Sequence, residues 1–106
     1  MTRVNKADPE LDRLIAEITA DAHDEDEQLM GFEAAFDEEA HFPCPGTVIG
    51  EEVQVLSVSI ANDRCELTAT CTRANHRYEI ALLDININAD AATSRLVAAY
   101  RRWVTD

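Results

Sequence analysis

The chain has few of the residues that interrupt or cross-link a fold. Among its 106 residues are three glycines, three prolines and three cysteines. So few Gly and Pro residues exclude a low-complexity segment, and no internal repeat is visible. Apolar residues make up 46%, and this length suits one hydrophobic core but not two. We therefore predict a single domain over residues 1–106.

Long hydrophobic runs are also missing. No segment approaches the roughly 18–20 apolar residues that a helix needs to cross a bilayer. The N-terminus has no basic region followed by an apolar run, so no secretory signal is recognisable. We expect a cytoplasmic protein that does not bind membranes.

The three cysteines cannot all pair with one another. Cys65 and Cys71 would lie on one face of one strand, about 20 Å apart at ~3.3 Å per residue, which is too far for a disulfide. We predict reduced and mostly buried thiols, as in a reducing compartment.

Motifs of common enzymes and metal sites are scarce. There is no Gly-rich phosphate loop, no HExxH and no GxSxG. The spacing of His41 and Cys44 is compatible with zinc chelation, yet no second close pair completes four ligands. We predict that the protein is not an enzyme.

Basic residues are missing from much of the first half. Between Glu17 and Glu39 there are ten carboxylates and no Lys or Arg. Residues 1–52 hold fifteen acids against three bases, while residues 53–106 hold six of each, so the net charge of −12 lies entirely in the first half. Direct binding of nucleic acid is disfavoured, because phosphates require a basic surface.

Such a concentration of acids indicates a cation or a basic partner. Two carboxylates about 6 Å apart repel by roughly 0.7 kcal/mol even in water, and a bound divalent ion would relieve that repulsion. Three interpretations stay open at this point. The acidic run is a solvated helix face, a calcium site, or a phosphate mimic that binds a basic protein.

The N-terminal part predicts two helices. Asp8 followed by Pro9 is typical of a helix N-cap, and apolar residues then recur at helical spacing. Asp24 with Glu27 three positions later resembles a second capping box. The expected acidic helical hairpin has helices at about residues 8–22 and 24–40.

The pattern changes after Pro43 from helical spacing to alternation. Short alternating segments predict four to five strands at about residues 47–87, with a bulge near Leu56, where the alternation changes phase. In the last of the clearly alternating segments, Tyr78 is expected on the inward face. Turn residues between the segments favour an antiparallel meander. Asp90 is typical of the cap of a last helix, at about residues 90–104. The predicted fold class is α+β.

Spacing excludes an EF-hand. Its loop needs oxygen ligands at positions 1, 3 and 5, Gly at 6 and Glu at 12. A loop that starts at Asp24 has Leu29 at position 6 and Ala35 at position 12. A loop that starts at Asp26 has Met30 at position 5. Calcium can still be bound by six to eight oxygens collected from separate segments.

Four stretches resemble a known family. They are Asp21-Ala22-His23-Asp24-Glu25-Asp26-Glu27-Gln28-Leu29-Met30-Gly31-Phe32, then Phe42-Pro43, then Gly50-Glu51-Glu52-Val53-Gln54-Val55-Leu56, and finally Tyr100 to Val104. Over about residues 15–104 the chain is similar to the small calcium-binding proteins first described in cyanobacteria (CcbP-like). The resemblance implies a calcium buffer or sensor without an EF-hand, with helices packed on a small SH3-like, barrel-like antiparallel sheet.

The resemblance also implies which residues bind Ca²⁺. The acid shortly before the Phe-Pro element corresponds to Glu38, with Asp37 and Glu39 adjacent. The pair that opens the strand corresponds to Glu51 and Glu52. On this basis we predict a calcium ion between the C-terminal end of the acidic helix and the start of the sheet. Glu38 is a principal ligand in this prediction, and Asp37, Glu39, Glu51 or Glu52 contribute.

Each candidate ligand also has a structural interpretation. Glu38 and Glu39 would simply end a solvated helix, and Glu51 and Glu52 would simply flank a strand. Asp24 completes the set of candidate metal residues. Its cluster serves mainly helix capping and a background potential that attracts cations.

Overall fold

The structure, a computed structural model, describes residues 8–61 and 65–105 and has the predicted α+β architecture. Its elements are α1 (Pro9–Ile18), α2 (Glu25–Glu39), β1 (Cys44–Val48), β2 (Glu51–Ile60), β3 (Leu67–Arg73), β4 (His76–Ala81), β5 (Asn86–Ile87) and α3 (Ala91–Thr105). Within those two stretches, no helix is both long and apolar enough to span a membrane.

Both acidic helices begin where the sequence predicts a cap. The backbone N–H of Leu11 donates to Oδ1 of Asp8 at 3.2 Å, and that of Glu27 donates to Oδ1 of Asp24 at 2.9 Å. The Glu27 carboxylate in turn accepts the backbone N–H of His23 at 2.8 Å. These bonds satisfy donors that have no partner inside the first turn of a helix.

α1 is shorter than the predicted range of about 8–22. It ends at Ile18, and Thr19 leaves helical geometry with φ −102° and ψ 13°. The backbone N–H of Thr19 still donates to the Ile15 carbonyl oxygen at 3.0 Å, but that of Ala20 donates to Glu17, three residues back, at 3.5 Å. The i→i−4 pattern of the α-helix is therefore replaced by tighter i→i−3 turns.

The strands form one antiparallel sheet in the order β4-β3-β2-β1-β5. The predicted bulge is confirmed, because the register between β2 and β3 shifts between Val55 and Ser57. This extra residue lets Val53, Val55 and Val58 all face the core. The resemblance implied a barrel-like sheet, but in the described residues β4 and β5 remain unjoined edges, so the sheet is not closed into a barrel.

The core lies between one face of the sheet and helices α2 and α3. Its most buried side chains, each at most 1% exposed, include Phe32, Phe36, Val55, Leu67, Leu82, Ile85, Leu96 and Tyr100. The rings of Phe32 and Tyr100 meet edge to face with centroids 5.7 Å apart. The Tyr100 hydroxyl accepts the backbone N–H of Leu67 at 2.9 Å, which ties α3 to β3.

Two side chains are more exposed than the alternation predicts. Cys65 precedes β3 and is exposed, while Cys44 and Cys71 are buried as predicted. The alternation also places Tyr78 on the inward face, but its side chain is 45% exposed. β4 is an edge strand that packs mainly against β3, so no helix covers Tyr78 extensively. All three cysteines are free.

Candidate metal centre

The predicted metal residues lie at three separate places, all of them exposed. Asp24 caps the N-terminus of α2, the last turn of α2 holds three acids, and two more begin β2. At about 1.5 Å per residue, the length of α2 separates its two ends by roughly 20 Å. The three places together hold the six candidate ligands Asp24, Asp37, Glu38, Glu39, Glu51 and Glu52.

Carboxylates alone do not form a metal cage in residues 8–61 and 65–105. No group of three or more His, Cys, Asp or Glu side chains there is placed to hold a metal ion. Calcium, however, also takes backbone carbonyl oxygens and water among its six to eight ligands. A calcium site in this chain therefore needs backbone oxygens beside its carboxylates.

The cluster at the start of α2 has partners within the chain. Asp24 accepts the backbone N–H of Glu27 as a cap. Asp26 accepts the thiol of Cys65 at 2.8 Å, and this hydrogen bond is the main reason why the pKa of Cys65 is raised. The positive end of the helix dipole stabilises acids in this turn. Helix capping thus accounts for much of this cluster.

The acids at the other end of α2 lie where the helix dipole is unfavourable. The C-terminus of a helix carries roughly half a negative charge. Asp37, Glu38 and Glu39 occupy this last turn, which contains no basic residue. All three side chains are exposed. A cation bound here would relieve both the repulsion among the carboxylates and their repulsion from the helix end.

Backbone oxygens are available at the same place. In a longer helix, the carbonyl of Asp37 would accept the N–H of residue 41, and that of Glu39 would accept the N–H of residue 43. The N–H of His41 instead donates to Oγ1 of Thr93 at 3.0 Å, and Pro43 has no N–H. The two carbonyls therefore lack their helical partners, and they offer the kind of oxygen that calcium binds.

His41 fastens the segment after α2 to the start of α3. Its Nδ1 contacts the carboxylate of Asp90, and Oδ1 of Asp90 accepts the backbone N–H of Thr93 at 3.0 Å. Hydrogen bonds from Thr93, and then the one from His41, lower the pKa of Asp90 to about 2. Cys44 is buried in the core at 6% exposure. Among the described residues no three His, Cys, Asp or Glu side chains come together to hold a metal, so His41 and Cys44 do not belong to a zinc site there.

Glu39 also borders a cleft at which all three helices meet. The cleft has a volume of about 230 Å³ and is lined by Glu39 together with Leu14, Glu17, Ala92, Arg95 and Leu96. Glu17 adds a carboxylate and Arg95 a positive charge. Sequence reasoning missed these two as neighbours of Glu39. Helical spacing shows which residues share a face but not which helices meet.

Glu51 and Glu52 open β2 at the opposite end of the β1–β2 hairpin from Cys44. β1 enters the sheet at Cys44 and ends at Val48, which pairs with Glu51. Four residue steps at ~3.3 Å place Glu51 about 13 Å along the sheet from Cys44. Arg73 forms an ion pair with Glu51 and lines a groove that Glu52 also lines. A cation within the chain therefore already partners Glu51.

A family model and one solved structure point to the same family. The family model for CcbP, described as calcium binding, matches residues 12–104. The crystal structure of Anabaena CcbP is similar with a TM-score of 0.80 and 25% identity, over 98% of this chain and 95% of that chain. A calcium-binding protein in its calcium-binding form has a TM-score of 0.78 and 23% identity, over 92% and 91%. No curated protein matches.

Proposed function

Because this chain belongs to the CcbP family of calcium-binding proteins, we propose that it binds Ca²⁺ at the C-terminal end of α2. Asp37, Glu38 and Glu39 supply the carboxylates, with Glu38 as the principal one, and the free carbonyls of the last turn supply backbone oxygens. Water completes the six to eight ligands that calcium takes. The protein acts by binding the ion, without an EF-hand and without catalysis.

One observation carries this choice of site. Three acids occupy the negative end of α2 with no basic residue in that turn. The cluster at the start of α2 lies at the favourable end of the helix and bonds to groups of the chain itself. Glu51 has Arg73 as a partner. Among the three places, the end of α2 is the one at which charge and free backbone oxygens coincide.

Calorimetric titration of chelator-treated protein with calcium tests the site. We expect Glu38→Gln to weaken calcium binding at least tenfold, because the substitution removes the principal charged ligand. Glu25→Gln is the matched control, since it removes the same charge from the same helix at its other end. We expect this control to bind calcium like the wild type.

The same titration separates the remaining carboxylates. Glu51→Gln and Glu52→Gln are expected to leave the affinity within about twofold, because Arg73 already pairs with Glu51 and the proposed carboxylate ligands lie in the last turn of α2. Absence of calcium heat at millimolar ion, or equal affinity in Glu38→Gln and Glu25→Gln, would contradict the proposed site. A loss confined to the Glu51 and Glu52 variants would move the site to the start of β2.

Calcium is expected to bind in preference to magnesium. Magnesium requires near-octahedral geometry and gives up its water reluctantly, whereas calcium tolerates irregular sets of oxygens. An exposed helix end with three carboxylates and backbone oxygens fits calcium better. Equal and weak binding of both ions would indicate diffuse screening of the acidic surface.

The acidic surface also suits a basic protein partner, and this stays a prediction. The cytoplasmic location and the absence of nucleic-acid and membrane binding are predictions as well. The exposed acids Glu25 and Glu27 at the start of α2 favour such a partner. Capture by an immobilised basic protein should weaken as salt is added and should not require calcium. Capture that depends on calcium would instead indicate a calcium sensor.

A further inference from the structure

β4 is an edge strand whose outer side pairs with no other strand in the described part of the chain. It joins β3 through a two-residue turn, Ala74-Asn75, with φ values of 53° and 67°. Residues that flank such a turn form a hydrogen-bonded pair, here Arg73 with His76. Hydrogen-bonded and non-hydrogen-bonded pairs alternate from there along the strands. The backbone N–H and C=O groups that point to the free edge therefore belong to Arg77, Glu79 and Ala81.

We propose that two copies of this protein associate through β4, antiparallel about a two-fold axis, so that their sheets join into one. The other edge strand, β5, has two residues and is too short to support such pairing. β4 has six residues and contains no proline. The partner is thus a second copy of this chain, and its strand meets Arg77 and Glu79.

Backbone geometry restricts the register of this pairing. Hydrogen bonds across the contact form only where the backbone N–H and C=O of both strands point to the free edge. Arg77, Glu79 and Ala81 of one copy can therefore oppose only these same three residues of the other. A register centred on Arg77 would oppose two arginines, and one centred on Glu79 would oppose two glutamates. The register centred on Tyr78 places Arg77 of each copy opposite Glu79 of the other. A register centred on a residue farther along the strand would leave most of β4 unpaired.

Side chains favour the register centred on Tyr78. Opposite charges directly across two strands attract, and like charges there repel. Glu79 is held in place on the outer face, because its carboxylate accepts the hydroxyl of Thr70 at 2.8 Å. Tyr78 is 45% exposed and would pack against Tyr78 of the second copy in a close, non-hydrogen-bonded pair. Pairing would cover an aromatic ring that the fold leaves exposed.

The charge distribution of the chain allows this contact. The two copies carry a net charge of −12 each, but the excess lies in residues 1–52, and residues 53–106 hold six acids and six bases. β4 packs mainly against β3, whereas α2 packs on β2 and α3. The acidic helix therefore does not border the proposed contact. Added salt should screen the remaining long-range repulsion between the copies.

Sedimentation velocity and light scattering at about 10 to 500 μM measure the association. We expect a dimer at high concentration in the wild type and a monomer in Arg77→Glu and in Glu79→Arg, since each variant opposes like charges. An equimolar mixture of the two variants should form a heterodimer, because every opposed pair then joins an acid and a base. Asn86→Asp, an exposed position on β5 at the other edge of the sheet, is the control for a charge change away from β4.

Three results would overturn the proposal. They are a wild type that stays monomeric at 500 μM, a dimer that survives both single variants, and a mixture of folded variants that remains monomeric. Hydrogen exchange provides a test without substitution. The amides of Arg77 and Glu79 should exchange more slowly as the concentration of wild-type protein rises, and unchanged exchange there would also contradict the pairing.

Discussion

Gly31 of α2 lies so close to α1 that a Cβ atom at this position would be 2.5 Å from the carbonyl oxygen of Ile18. No real Cβ tolerates such an approach to backbone. The next residue, Phe32, is completely buried and contacts the rings of Tyr100 and Trp103. Gly31 and Phe32 therefore combine a close approach of two helices with an anchor in the core.

Gly31→Ala should destabilise the protein by about 1–3 kcal/mol, because the added methyl group forces α1 and α2 apart. Helix propensity alone would give the opposite sign, a gain of about 1 kcal/mol. Urea unfolding in the presence of chelator measures the difference. Ala34→Gly is the control, since it changes propensity at an exposed position of the same helix. A more stable Gly31→Ala variant would contradict the close crossing.

Tyr100→Phe should destabilise the fold by about 1–3 kcal/mol, because the buried backbone N–H of Leu67 would lose its acceptor. The ring itself would stay in place, so the effect isolates the hydrogen bond. Thermal and urea unfolding give the magnitude. Tyr78→Phe, at a half-exposed ring, should change stability by no more than about 0.5 kcal/mol. Equal effects of the two substitutions would argue against a structural role for the Tyr100 hydroxyl.

Ile49→Asn should stabilise the protein by roughly 1 kcal/mol. Ile49 has a φ of 50° and precedes Gly50, with a φ of 78°, in the two-residue turn between β1 and β2. β-branched residues are unfavourable in this left-handed region, where Asn-Gly is preferred. The Ile49 side chain is 96% exposed, so its removal costs little packing. The melting temperature measures the gain, and a decrease would show that the Ile49 side chain contributes to stability.

Asp90→Asn should reduce the acid sensitivity of the protein. The pKa of Asp90 is lowered from 3.8 to about 2, so its charge stabilises the fold above pH 4 and this contribution is lost as the pH falls towards 2. Asn also caps helices, so the variant keeps the start of α3 but has no titrating group there. Urea unfolding between pH 2 and 5 should show a smaller loss of stability in the variant, with Asp21→Asn as control. Parallel curves for Asp90→Asn and the wild type would contradict this assignment.

Local chemistry explains the elements that the sequence predicts well. The caps at Asp8 and Asp24 depend on residues within one turn, and the bulge near Leu56 appears as a change of phase over a few residues. α1 is different, because it ends at Ile18 where α2 approaches closely and the backbone changes to i→i−3 bonds. The prediction that Tyr78 lies on the inward face was wrong for a similar reason. Alternation shows that two faces differ, but it does not show whether a helix covers the end of an edge strand.

The candidate site also has a part that the sequence predicts and a part that it does not. Sequence reasoning placed Asp37, Glu38 and Glu39 at the end of an acidic helix, and the structure has them in the last turn of α2. It did not predict that Glu51 lies along the sheet beyond β1 or that Arg73 pairs with it. Those relationships depend on strand register and on contacts between hairpins, which composition does not encode.

Trp103 is the one tryptophan of the chain, so the intrinsic fluorescence of the protein reports on the surroundings of this residue. Its indole Nε1 donates to Oε1 of Gln28 at 2.8 Å and thus joins α3 to α2. Indole emission depends on this hydrogen bond and on the packing around the ring. An ion that binds at the C-terminal end of α2 and shifts this helix would therefore change the wavelength or intensity of the Trp103 emission. Calcium binding could then be followed without an added label.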